Sequence, residues 1–158
     1  MTDHSRLAEE YFLKGYNCTQ SVAAAFADEL CIPEPQLLRM SAGFGGGFGR
    51  MREVCGAFSG IVLVISSLYG NDDPKKKSAF YAEIQKLAAD FKKRCETDSI
   101  VCRELLGLPG RDTSPNAQAR TTEYYKKRPC LSLVKAAASI AEDYICSHPV
   151  AEHCMRSE

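Results

Sequence analysis

Between Val54 and Tyr69 the chain carries no charged residue, and this stretch constrains the fold more than any other. It is shorter than a membrane span and contains Gly56, Ser59, Gly60, Ser66 and Ser67, so other parts of the chain must shield it from water. Cys55, Phe58, Val62, Ile65 and Tyr69 fall on one helical face, which predicts a buried central helix. The run Ile61-Val62-Leu63-Val64-Ile65 is rich in β-branched residues and would also suit a buried strand. No other segment resembles its sheet partner, so the helix is preferred.

The flanking segments read as amphipathic helices. Leu7, Ala8, Tyr11 and Phe12 form one stripe, ended by Gly15. Asn17 suits an N-cap, followed by Cys18, Val22, Phe26 and Leu30 at four-residue steps, with Pro33 and Pro35 expected to close the helix. A glycine-rich segment, Gly43 to Arg50, leads into the central helix, and Gly70 to Pro74 reads as a turn. Phe80, Ile84, Leu87, Ala88 and Phe91 define a long helix. Thr97, Asp98 and Ser99 break it and cap a short one running from Ile100 to about Leu106, with Gly107 as its stop. Residues 108–116 read as a loop. Pro129 fits the first position of a last long helix, with Cys130, Val134, Ala137, Ala138, Ala141 and Ile145 on its stripe. The expected fold is all-α: a compact multi-helix bundle in one domain over residues 1–158, with its core at about 7–145 and a polar tail at 147–158.

At 158 residues the chain is long enough to bury a core without staples. Its 20 basic and 20 acidic residues balance, so no global field draws it to nucleic acid or to a membrane surface. The polar start, Met1 to Arg6, is followed by no apolar signal segment, and a cytoplasmic location is expected. In a reducing compartment the eight cysteines read as free thiols, redox thiols or metal ligands rather than structural disulfides.

Four of them, Cys18, Cys55, Cys102 and Cys130, stand at helix starts on apolar stripes, far apart in sequence. Unpaired N–H groups and the helix dipole favour thiolate over thiol there, and thiolate is the form that attacks disulfides and binds metals. If the stripes converge, four activated sulfurs meet in one redox or metal centre. The competing reading is that each cysteine is a small core hydrophobe. No Cys-x-x-Cys occurs, which argues against ferredoxin, zinc-ribbon and thioredoxin loops but leaves open a site built from separate helices. Cys31, Cys95 and Cys146 lie where helices finish, where the dipole opposes thiolate, and Cys154 lies in the tail; these four are expected to be structural.

The glycine segment matches neither the P-loop nor the Gly-x-Gly-x-x-Gly pattern. Gly45, Gly46, Gly47 and Gly49 with Arg50, and Arg52 beyond, suit a backbone that holds an anion or the sulfurs of a cluster. The same glycines would equally serve a tight turn. Gly56 and Gly60 form a smooth groove for a neighbouring helix or a cofactor. The tail contains Cys146, His148, His153 and Cys154, residue types that suit zinc at spacings that do not. His4, His148 and His153 all lie in terminal segments, so no Cys–His–Asp arrangement is evident in the core.

Asn17-Cys18-Thr19-Gln20-Ser21-Val22, the glycine run 43–49, Cys55-Gly56-Ala57-x-x-Gly60, Cys102-Arg103-Glu104-Leu105-Leu106-Gly107 and Cys130 together resemble the C_GCAxxG_C_C family, over about Leu7 to Ile145. The family name writes Gly before its second Cys, whereas here Cys55 precedes Gly56. That family is regarded as redox-active because of its four characteristic cysteines, with no defined reaction. The resemblance therefore implies a redox role for Cys18, Cys55, Cys102 and Cys130. Its relative, split-Soret cytochrome c, implies an iron–sulfur or other thiolate-bound metal site at those cysteines and a homodimer. The relative's haem is attached through Cys-x-x-Cys-His, which this chain lacks, so no haem is expected. Two functions follow as expectations. One is thiol–disulfide or iron–sulfur electron transfer with an unidentified redox partner, making any enzyme an oxidoreductase. The other is a non-enzymatic helical module that binds a small ligand, metal or partner, with cysteines that only pack.

Overall fold

The computed structural model describes residues 2–110 and 112–150. Helices α1 (His4–Leu13), α2 (Cys18–Ala24), α6 (Gly56–Tyr69) and α10 (Cys130–Ser147) pack together, with α7 (Lys77–Arg94) against α6 and α10. Short helices fill the connections: α3 (Ala27–Leu30), α4 (Glu34–Ser41), the single turn α5 (Gly45–Phe48), α8 (Cys102–Leu105) and α9 (Thr122–Lys127). Among the described residues the only β pairing is an isolated antiparallel bridge, Val54 to Val101. The fold is all-α, as the hydrophobic periodicity predicts. Among the described residues no helix is long and apolar enough to cross a membrane.

The charge-free segment is helical and central. Ala57, Ile61, Val64 and Ile65 of α6 are fully buried among Phe12, Val22, Phe91, Val134 and Ile140 from four other helices. Helix α2 starts where expected: the Asn17 side chain accepts from the Gln20 N–H at 2.9 Å, and Gln20 Oε1 accepts from the Asn17 N–H at 3.1 Å.

The structure corrects the sequence reading in four places. The helix expected from Cys18 to Leu30 breaks at Phe26 (φ −108°, ψ 20°), whose ring is buried flat against His4 at 4.1 Å. His4, although in a terminal segment, is buried. Its Nε2 lies 2.7 Å from Glu29 and its Nδ1 3.1 Å from Glu142, which ties α1 to α3 and α10. Pro33 and Pro35 do not only close a helix: Pro33 caps α4 and Pro35 sits in its first turn, where a missing N–H is tolerated. Helix α9 follows the 108–116 loop, capped by the Thr121 hydroxyl accepting from the Tyr124 N–H. Smaller shifts occur too: Pro129 is the N-cap of α10, and α8 begins at Cys102 rather than Ile100.

The groove on α6 is filled by α2. A Cβ at Gly60 would stand 2.6 Å from Val22 Cβ, and one at Gly56 would stand 2.9 Å from Thr19 Oγ1 and 3.1 Å from Cys18 Cβ. The buried Thr19 hydroxyl donates to the Gly56 carbonyl at 2.8 Å. Close helix packing requires glycine at both positions.

Gly60→Ala is accordingly expected to destabilise the fold by about 1–3 kcal/mol through overpacking, despite the higher helix propensity of alanine. Guanidinium unfolding should show a lower midpoint at unchanged slope. A raised midpoint would contradict the packing account.

Candidate thiol site

Each of the four helix-start cysteines is held by local backbone structure. Cys18 is the first residue of α2, directly after the Asn17 cap. Cys55 is the N-cap of α6, and its N–H donates to the Ile100 carbonyl at 2.7 Å. Cys102 opens α8, and its N–H donates to the Glu53 carbonyl at 2.6 Å. These two bonds flank the Val54–Val101 bridge and fix Cys55 and Cys102 in one frame. Cys130 opens α10 after the Pro129 cap.

All four line one pocket of about 280 Å3. Cys18 and Cys130 are hydrogen-bonded to each other. That bond makes the pair unequal. Holding the shared proton pushes the Cys18 thiol well above its ordinary range, with burial adding to the effect. The same bond lowers Cys130 to about 7, and Arg128, Arg120 and Arg52 assist against the opposing effect of burial.

The other two behave differently. Burial pushes Cys55 up to about 12, although the backbone N–H groups of Phe58 and Ala57 pull the other way. Burial also raises Cys102, opposed by Arg52, whose Nη1 lies 3.8 Å from Cys102 Sγ. Helix-start N–H groups thus favour thiolate at Cys55, where desolvation outweighs them, whereas at Cys102 it is Arg52 that desolvation outweighs. Of the four, one sulfur is disposed to be thiolate near neutral pH.

The glycine segment folds tightly back on itself. Gly46, Gly47 and Gly49 have φ of 66°, 70° and 58°, and Arg50 and Arg52 share the left-handed region at 64° and 62°. The N–H groups of Gly49, Arg50, Arg52 and Glu53 bond to the carbonyls of Gly43, Gly45, Gly46 and Gly47, so these four do not face a ligand. Gly45, Gly46, Gly49 and Arg50 nonetheless line the pocket. Gly47 instead backs Cys102: a Cβ there would stand 2.7 Å from Cys102 Cβ and from the Glu53 nitrogen.

Among the lining residues that the sequence did not single out, Arg120, Tyr124 and Arg128 form one group. The Arg120 guanidinium lies 4.8 Å from the centre of the Tyr124 ring and that of Arg128 lies 4.9 Å from it. Arg120 also lies over Phe12 at 4.2 Å and donates to the Phe12 and Tyr16 carbonyls at 3.4 and 3.1 Å. The signal was present as Arg120, Tyr124 and Arg128 at four-residue steps, in a segment that carries no apolar stripe.

The cysteines expected to be structural lie elsewhere. Cys95 is half-buried and raised by burial, Cys146 is exposed, and Cys31 is disulfide-bonded. In the tail cluster, the His148 ring stacks on Tyr144 at 4.1 Å, while His153 and Cys154 lie outside the described residues. Among the described residues no three Cys, His, Asp or Glu side chains are gathered so as to hold one metal ion, the four pocket sulfurs included.

The hydrogen-bonded pair predicts a specific variant effect. Alkylation of Cys130 by iodoacetamide should rise with pH to a half-maximum near 7, because its lowered pKa leaves thiolate above that point. In Cys18→Ala the half-maximum should move up by about one to two pH units. A hydrogen bond to a charged group contributes roughly 1.5–3 kcal/mol, and one unit corresponds to about 1.4 kcal/mol. An unmoved profile would show that the arginines alone set the thiolate.

Neither a curated protein nor a solved structure matches the chain. A family model described as "Putative redox-active protein (C_GCAxxG_C_C)" matches residues 16–144, a stretch that contains all four pocket cysteines. The match spans most of the sequence and agrees with the motifs around Cys18, Cys55, Cys102 and Cys130, so the chain belongs to the C_GCAxxG_C_C family.

Proposed function

We propose that this chain carries out thiol–disulfide exchange, with Cys130 as the attacking thiolate and Cys18 as the resolving thiol. What supports this reading is that Cys18 and Cys130 line one pocket, where their interaction and the nearby arginines lower Cys130 to about 7 and raise Cys18. An attacking thiol works best with a pKa near ambient pH, where thiolate is abundant and still strongly nucleophilic.

The chemistry balances without another group. The Cys130 thiolate attacks one sulfur of a substrate disulfide, which breaks and releases a thiolate. Cys18 then loses its proton and attacks Cys130 Sγ, releasing the second substrate thiol and leaving a Cys18–Cys130 disulfide. Two electrons pass from the protein dithiol to the substrate, and one further proton comes from water. Cys55 and Cys102 stay protonated at neutral pH in this scheme and form the pocket wall.

A thiolate-bound metal or iron–sulfur cluster is the second reading, favoured by four sulfurs lining one pocket. As they stand, the side chains do not fit a three- or four-ligand set. Anaerobic purification with iron, zinc and acid-labile sulfide analysis separates the readings: a colourless protein with reactive thiols supports exchange, and stoichiometric iron and sulfide support a cluster. A module whose cysteines only pack would keep its ligand or partner binding when all four are changed to alanine.

The exchange scheme predicts distinct stoichiometries with the neutral reagent bis(2-hydroxyethyl) disulfide. The reduced protein should release two equivalents of 2-mercaptoethanol from this pair. Cys18→Ser should stop at the mixed disulfide on Cys130 after one, and Cys130→Ser should release none from the pocket. Equal release by wild type and Cys18→Ser would remove the resolving role.

A further inference from the structure

Among the described residues lining the pocket there is no Asp or Glu, yet four arginines face it: Arg50, Arg52, Arg120 and Arg128. The chain as a whole has no net charge, so the fold has concentrated positive charge at the cysteines. Arg50 is partly compensated by Asp112 at 3.7 Å. Arg120 and Arg128 are held by neutral groups, namely two backbone carbonyls, the Gln118 side-chain oxygen and the Tyr124 ring.

Arg52 is the most telling. It is only 2% exposed, it lines the pocket, and its Nη1 lies 3.8 Å from Cys102 Sγ. Its Nε and Nη2 have no hydrogen-bond partner. Its backbone sits in the left-handed region, so a strained turn places the charge there. A buried guanidinium without an anionic partner is costly, and a single Cys130 thiolate cannot balance the group of arginines around it.

We propose that the pocket takes a small organic disulfide bearing carboxylates, with a carboxylate drawn to Arg52 and its neighbouring arginines and the S–S bond presented to Cys130. This rests on the exchange reading above and adds the substrate class. A volume of about 280 Å3 lies at the lower end of small-molecule sites and suits a compact acid rather than a folded protein partner. The planar fork of arginine matches carboxylate, and a pocket lined by one sign of charge raises the local concentration of the opposite sign. The reaction is the balanced one already given: two protein thiols are oxidised to the Cys18–Cys130 disulfide, and the acid disulfide is reduced to two thiol acids.

The test compares three disulfides with the full-length reduced protein at low ionic strength: 3,3′-dithiodipropionate (anionic), bis(2-hydroxyethyl) disulfide (neutral) and cystamine (cationic). Each rate is normalised to that of free 2-mercaptoethanol with the same reagent, which removes the differences in leaving group. The expected order is anionic above neutral above cationic, with at least a tenfold span that narrows as salt is added. Arg128→Gln should shrink the span several-fold while the neutral reagent still reacts. Equal normalised rates, or a preference for cystamine, would overturn the substrate class and leave exchange standing. If the neutral reagent does not react at all, exchange itself fails, and the charge proposal is judged separately by succinate. Slowing of iodoacetamide at Cys130 by succinate, with no effect at exposed Cys146, supports an anion site, and no slowing overturns it.

Discussion

The contact of α2 on α6 without an intervening side chain is what the rest of the structure depends on. Gly56 and Gly60 let Thr19 and Val22 lie directly on the central helix, and the Thr19 hydroxyl closes the contact on the Gly56 carbonyl. That approach sets the start of α2 beside the start of α6, hence Cys18 near Cys55. Helix α10 packs against both and delivers Cys130 from a third direction. The glycine turn leads into Arg52 and backs Cys102 through Gly47, while the Val54–Val101 bridge holds Cys102 beside Cys55. A bulkier residue on the α6 face would separate the sulfurs before it affected any one of them.

Once gathered, the sulfurs are governed by a competition between burial and local charge. A helix start or a nearby arginine contributes a modest preference for thiolate, while removal from water opposes it strongly. Cys55 and Cys102 show burial winning. Cys130 escapes because Cys18 donates to it and three arginines surround it, and Cys18 is raised for the same reason. The interaction between the two sulfurs thus gives chemically identical side chains unequal acidity.

Much of this was legible from residues alone. The charge-free run at Val54–Tyr69 required a buried central helix, the four-residue steps marked α1, α2, α7 and α10, and the Asn17/Gln20 pair marked the start of α2. The positions of the four cysteines at helix starts were readable, and so was the possibility that they converge. Their unequal protonation was not, because it depends on which sulfur meets which and on how much water each loses. Helix α4 was hidden by Pro33 and Pro35, which signal a start as readily as a stop. Helix α9 lacks an apolar stripe, so Arg120 and Arg128 went unassigned although they flank the Tyr124 ring in the same pocket as the thiols. His4 looked like part of a polar terminus, and only the fold reveals its stacking on Phe26 between two carboxylates.

The central claim is that a single proton shared between Cys18 and Cys130 makes one thiolate among four gathered sulfurs. Cysteine Cβ carbon shifts, followed by NMR in the reduced protein labelled at cysteine, report each titration directly. The account predicts that Cys130 titrates near pH 7, while Cys18 and Cys55 hold their protons far above that. Cys18 and Cys130 titrating together in the ordinary thiol range, or Cys55 ionising first, would contradict it.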